Sequence, residues 1–394
     1  MSEPKDLVPD QQILAAITGI SPPKGQTYDI ISNTFDTCTF RLKLEGERPK
    51  GYPADLIVRL EASENRLAQV ATLQRLGHLQ LPDVVPETLN VGIVKDASGR
   101  QLEYSISSYV EGTSTLEDIW DTISRDDQQY LIDSVIGAIT KLHGLNLQSE
   151  DVRQRLLHLQ PEGNSEKPLE PLIGGPELGY HANIAQLLEA FAGGVGSDTQ
   201  GYKIEQTQGG IAVQSIFADI GAIELSQADL DALKENIVLC HNDLEPRNIL
   251  VRQCQPDSEG NSAGYQVAAI IDWEMAGFYP FAFEFGFKDT VLGSSNLYLS
   301  WYLLFKERAA RRVPEGSCHS KLIKAMTTIG RSKTRAKKRT IGFQFQRKWI
   351  ERHGLSLLDE RRGWVPGDGV ENPVFTKEDK ENLEHEVLKE LGYI

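Results

Sequence analysis

The sequence predicts an α+β chain in two parts. Residues 1–110 form a front of antiparallel strands with one main helix, and residues 111–394 form a mainly helical back. Two observations carry this. Runs rich in β-branched and aromatic residues crowd the first hundred positions. After Gly112 the apolar spacing changes to that of helices. The length of 394 residues suffices for two modest domains or one bilobed one.

In the front, YDIISNTFDTCTFRLKL (28–44) and ADLIVRLEA (54–62) read as strand material, with alternation clearest in TFRLKL. A helix follows in SENRLAQVATLQRLG (63–77). Leu67, Val70, Ala71 and Leu73 lie near one face, and Gly77 is placed to close the end. PETLNVGIV (86–94) and QLEYSISSYVEG (101–112) read as two more strands, with a turn at Asp96–Gly99.

In the back, Ser124 and Asp127 mark the start of a helix in which Leu131, Val135, Ile139 and Leu142 recur at helical spacing. Residues 160–221 are rich in Gly, Pro and polar side chains. One short apolar helix over 184–191 is the sole element assigned there. Ser226 and Asp229 cap another helix that ends near Asn236. Helical patterns return over 297–352, and a last helix starts near Thr376, with Asp379 at the capping-box position.

Composition narrows the function classes. The net charge of −15 makes nucleic acid a poor partner for the whole chain. The charge is uneven, however. From Lys306 to Arg352 there are 15 Lys/Arg and 3 Asp/Glu, which is either a solvated helical surface or a basic surface for an anionic substrate or partner. Cys38, Cys240, Cys254 and Cys318 form no CxxC pair, so neither a zinc site nor a disulfide framework is expected. No apolar run reaches 18 residues and the N-terminus lacks a signal-peptide pattern, so a reducing, cytoplasmic setting is expected, with no membrane contact.

The chemistry concentrates in HNDLEPRNILV (241–251) and YQVAAIIDWE (265–274). IVLCH, NILVR and YQVAAII are apolar runs, and PDSEGNSAG (256–264) is turn material. A hairpin would make Asn248 and Asp272 neighbours at one end. Their oxygens are hard ligands that suit Mg²⁺. Asp243, in the polar loop, is placed to approach a hydroxyl. A base and two metal ligands are what phosphoryl transfer asks of a protein, since positioning and charge neutralisation do most of the work.

HNDLEPRNILV…AAIIDWEMAG resembles the signature of the aminoglycoside phosphotransferase and choline kinase-like family, a branch of the protein-kinase fold, and looks most like its large fungal group. His241, Asp243, Pro246, Asn248, Ile249, Leu250 and Ile271–Glu274 match the usual HGDLHPGNIL and IDWE text. The resemblance implies a bilobed protein-kinase-like fold, an ATP- and Mg²⁺-dependent phosphotransferase, and a small-molecule hydroxyl acceptor. It implies Asp243 as catalytic base, Asn248 and Asp272 as Mg²⁺ ligands, and His241 as a brace for the loop. KLHGL (141–145) and SSYVEGTST (107–115) also look like family text. His143 is read as structural, and the backbone of Ser108, Tyr109 and Val110 is expected to meet adenine.

The sequence departs from the family pattern at several points. Arg59 stands where relatives commonly use a lysine on the third strand to hold phosphates. The helix position that normally supplies its glutamate partner is Gln69, with Glu61 and Glu64 as alternatives. IISNTFDTCTF (30–40) has no glycine, so Ser32, Asn33 and Thr34 are the expected donors to phosphate. Asn242, Glu245 and Arg247 replace the usual Gly, His and Gly. Arg247 is either a charge stabiliser for the transferred group or a plain surface residue. Glu245 adds negative charge beside Asp243 and is expected to help hold a cationic substrate, while Glu274 and Glu284 are either contacts for such a substrate or structural charges. Residues 160–221 and the helices after Asp289 are expected to wall the acceptor pocket, whose occupant the sequence does not name. The alternatives are a kinase-fold pseudoenzyme that binds nucleotide or ligand without turnover, a nucleotidyl transferase, or a metal-dependent hydrolase using His241 and Asp243.

Overall fold

The computed structural model describes residues 6–19, 26–45, 48–62, 64, 66–157, 172–194, 196–197, 200–254, 264–293, 297–367 and 375–394. The expected α+β class holds. The chain divides into two compact units: Met1–Ser114 with Leu250–Gln253 and Val267–Glu274, and the remainder.

In the first unit, five antiparallel strands stand in the order Gln26–Asn33, Thr37–Leu44, Asp55–Ala62, Gln101–Ser108, Thr88–Lys95. The stretch 28–44 is thus a hairpin rather than one run. Its turn is built by Thr34, whose hydroxyl accepts the Asp36 and Thr37 N–H groups at 3.3 and 3.1 Å, a side-chain turn where no glycine is present. Alternation buries Cys38, Phe40, Leu42 and Leu44 against Leu56, Val58 and Leu60 of the third strand. Ile13, Leu14 and Ile17 join this core from the helix Gln11–Thr18, an element the sequence reading did not assign. That helix is capped by Asp10, which accepts the Ile13 N–H at 2.8 Å, and closes on Gly19 in the left-handed region.

The helix Leu67–Gln80 buries Leu67, Val70, Leu73 and Leu76. The expectation that Gly77 ends it is corrected, because the helix runs three residues further. Gly77 is needed for a different reason. A Cβ there would lie 2.9 Å from Cζ3 of the Trp273 ring, so only glycine lets that indole pack against the helix.

In the second unit, Ser124 caps the helix Arg125–Leu142 as expected, accepting the Asp127 N–H at 3.1 Å. The capping boxes at Ser226/Asp229 and Thr376/Asp379 also form, ahead of the helices Gln227–Lys234 and Lys377–Leu391. The helices Leu299–Ala309, Ser317–Ala336 and Ile341–Arg352 occupy the expected helical stretch. Residues 173–226 hold more than the one expected helix, Ile184–Ala192. They supply two strands, Ile173–Gly175 and Gly179–His181, to a four-stranded sheet with Ile237–Cys240 and Gly277–Pro280. A second four-stranded sheet lies between Gly196 and Ser226. The turn expected over 256–264 lies, apart from Gly264, outside the described residues.

Candidate active site

The loop after strand Ile237–Cys240 is held from beneath. Glu284, on the helix Phe281–Phe287, is fully buried, and its Oε1 accepts the His241 and Asn242 N–H groups at 3.0 and 2.6 Å. Asn242 has φ 61°, a left-handed conformation that asparagine tolerates better than most residues. This explains how Asn can replace the usual Gly. Its amide nitrogen donates to the Met275 carbonyl at 3.0 Å, which fixes the turn.

The Asp243 N–H donates to His241 Nδ1 at 3.3 Å, so the imidazole braces the loop as expected. The Asp243 carboxylate is 14% exposed. Arg247 Nη2 donates to both of its oxygens, at 2.9 and 2.8 Å. Asn248 Nδ2 donates to the Asp243 carbonyl at 2.9 Å and to its Oδ2 at 2.7 Å. Three sequence-selected residues, Asp243, Arg247 and Asn248, therefore meet. The Asn248 amide nitrogen is committed to Asp243, so the side-chain oxygen is the atom left to serve a cation. That oxygen is a hard donor of the kind a divalent ion takes.

Glu245 does not face a cationic substrate, and that expectation is corrected. It is 2% exposed and paired with Lys288 Nζ at 2.6 Å; the same ammonium donates to the Leu244 carbonyl at 2.6 Å. Burial raises the Glu245 carboxyl above its ordinary range, and Lys288 opposes that shift. Glu284 is likewise raised by burial and is structural. Beneath it, the donor atoms of His143, Cys240 and Glu284 lie within 4.8 Å of one another. Burial lowers His143 to about 4 and raises the Cys240 thiol, so both are neutral packing partners for the brace.

In the first unit, Arg59 is gripped by carboxylates. Its Nε meets Glu61 at 2.6 Å and its Nη1 pairs with Glu274. Arg66 Nη2 bridges the same two acids at 2.7 and 3.0 Å. Glu61, not Gln69, is the glutamate beside Arg59, and Glu274 belongs to this network rather than to a cationic ligand. Asp272 follows strand Tyr265–Ile270, is exposed, and has φ 64°. Ser32 is exposed in the first hairpin, and Asn33 Nδ2 donates to the Leu7 carbonyl at 3.3 Å. Ser108 Oγ, at the end of strand Gln101–Ser108, accepts the Glu87 N–H at 3.1 Å. The Tyr109 ring carries Arg41 at 4.0 Å, and the Val110 carbonyl accepts the Thr113 hydroxyl at 2.9 Å.

The family model described as "Phosphotransferase enzyme family" matches residues 30–288, a span that contains every residue of this constellation. The chain belongs to the phosphotransferase enzyme family. This is the family its motifs resemble, and the α+β class is the one expected of it. No curated protein matches the chain. Among solved structures, it is similar to a thermostable mutant of aminoglycoside phosphotransferase APH(4)-Ia in ternary complex with AMP-PNP and hygromycin B. That match is 16% identical with TM-score 0.43, over 82% of this chain and 87% of the other. It is also similar to the GDP complex of wild-type aminoglycoside 2'-phosphotransferase-IIIa, 14% identical with TM-score 0.42, over 87% and 97%.

Sequence reasoning missed Arg66 and Lys288. Arg66 had a local signal, being a cation one residue ahead of the helix that follows the Arg59 strand. Lys288 had none, because its partner lies 43 positions earlier in the chain.

Proposed function

We propose that this phosphotransferase family member moves the γ-phosphoryl group of ATP to a hydroxyl of a small molecule. The acceptor oxygen bonds to the γ-phosphorus, the bond from that phosphorus to the bridging oxygen breaks, ADP leaves, and the hydroxyl proton passes to Asp243. The observation that carries this reading is the Asp243–Arg247–Asn248 cluster, held by a buried Glu284 that spends its carboxylate on the loop's backbone. Such bracing fixes a base in position, which is the larger part of phosphoryl-transfer catalysis.

Asn248 and Asp272 are the proposed holders of Mg²⁺, which when bound would neutralise phosphate charge. Arg247 reaches both oxygens of Asp243 and is 36% exposed, so it is able to exchange that contact for the transferred phosphate. Arg59, Ser32 and Asn33 are proposed to meet nucleotide phosphates, and the backbone of Ser108, Tyr109 and Val110 the adenine. No helix among the described residues is long and apolar enough to cross a membrane.

A second reading, nucleotide binding without turnover, is favoured by one observation. Both cationic groups proposed for phosphate are already occupied by carboxylates, Arg59 by Glu61 and Glu274, and Arg247 by Asp243. ATP consumption separates the two. Purified chain with Mg·ATP and a panel of hydroxylated metabolites and aminoglycosides should consume ATP with at least one acceptor, well above an Asp272→Ala control. Equal, background consumption by both proteins for every acceptor would favour the pseudoenzyme.

A further inference from the structure

The basic segment between Lys306 and Arg352 is not used by the site described above. Its middle walls a cavity of about 450 Å³ in the second unit, within the roughly 300–1,000 Å³ of small-molecule sites. The helix Ser317–Ala336 brings Arg331 and Arg335 to it, the helix Ile341–Arg352 brings Arg347, and Lys338 lies between these helices.

The cavity's carboxylates are already satisfied. Asp219 takes Arg335 at 2.6 and 2.8 Å. Glu351 faces Arg347 at 3.8 Å along its own helix. Asp289 is buried with Lys306 at 3.0 Å and the Tyr302 hydroxyl at 2.7 Å. Arg331 and Lys338 form no ion pair among the described residues, which leaves the cavity with two surplus positive charges. The remaining wall is partly apolar. The Trp364 indole is fixed by its N–H on the Asp289 carbonyl at 3.1 Å, and Ile350 stands on the helix Ile341–Arg352. The wall carries both signs with cations in excess, so its net charge is positive in a chain whose net charge is −15.

We propose that this cavity binds a small organic anion, one that carries phosphate or carboxylate groups on an apolar body. Arg331 supplies a planar fork for a two-oxygen group and Lys338 a mobile point charge at the rim. Trp364 and Ile350 cover the apolar part. The proposal goes beyond phosphoryl transfer and does not depend on turnover.

Calorimetric titration of the full chain with citrate and, separately, with inorganic pyrophosphate tests it at fixed ionic strength. The readout is the difference between the natural chain and Arg331→Gln/Lys338→Gln, so that any phosphate site elsewhere cancels. At least one probe should bind saturably, with affinity falling about tenfold or more in the double variant, the scale expected for lost charged hydrogen bonds. The probe that loses more identifies the anion class. Ile350→Trp, which fills the cavity without touching its charge, should weaken the same probe. Equal affinity in all three proteins, or no saturable binding to the natural chain, would overturn the proposal.

Discussion

At the scale of single residues, the buried Glu284 shows how much of this site is scaffolding. One carboxylate oxygen holds two consecutive backbone N–H groups of the loop that carries Asp243. Removing it leaves two buried donors unpaired, each worth about 1–3 kcal/mol. Glu284→Ala should therefore destabilise the chain by roughly 2–5 kcal/mol in urea unfolding, while Glu284→Gln, which keeps a carbonyl acceptor, should cost less than half of that. Equal costs for the two variants would mean that the hydrogen bonds do not hold the loop. The meeting of Asp243 and Asn248 was legible because HxDxxxxN is a local pattern. The role of Glu284 was not, since 42 and 43 positions separate it from the groups it serves. Glu245 was misread for the same reason. A glutamate two residues from Asp243, the proposed base, looks like a substrate contact until the buried Lys288 is seen against it.

At the scale of elements, local signals told most where side chains cap their own helix. Ser124, Ser226 and Thr376 each start a helix as their spacing predicts, because a capping hydroxyl needs only a partner three residues away. Gly77 misled because glycine has two uses. The helix Leu67–Gln80 passes through it, and the missing Cβ makes room for Trp273 of the IDWE motif. The indole is 1% exposed and donates to the Ile270 carbonyl at 3.0 Å, so it has little freedom to move. Gly77→Ala gains about 1 kcal/mol of helix propensity but meets an overpacking cost of about 1–3 kcal/mol. The thermal midpoint should fall, and adding Trp273→Leu should recover part of the loss. A midpoint that rises in the single variant would show that the ring yields. The strands Ile173–Gly175 and Gly179–His181 were illegible because short, glycine-rich strands lack an alternating face, whereas Tyr202–Thr207 and Gly210–Ser215 do alternate and were missed. At Gly175 a Cβ would lie 3.1 Å from the backbone of Ala276 and Gly277, so close sheet contact, not hydrophobic pattern, sets the sequence there.

At the scale of the molecule, the two-part α+β organisation was readable because strand and helix periods differ and change near Gly112. Membership in the phosphotransferase enzyme family rests on a match across 30–288, wider than the two short motifs that first suggest it. The acidic total of −15 hides a basic segment that walls a cavity in the second unit. What the composition could not tell is how far the charges are spent on one another. Arg59, Arg66, Glu61 and Glu274 hold one another, as do Lys306, Asp289 and Tyr302. Against these, the Asp243 cluster is the part of the molecule that we propose for chemistry. Single-turnover transfer of labelled γ-phosphate to an accepted hydroxyl substrate, in the natural chain and in Asp243→Asn, tests that most directly. The account predicts transfer slowed by about 10²–10⁴ in the variant, the usual worth of a positioned base, with nucleotide affinity little changed. Transfer at the same rate in both proteins would contradict it.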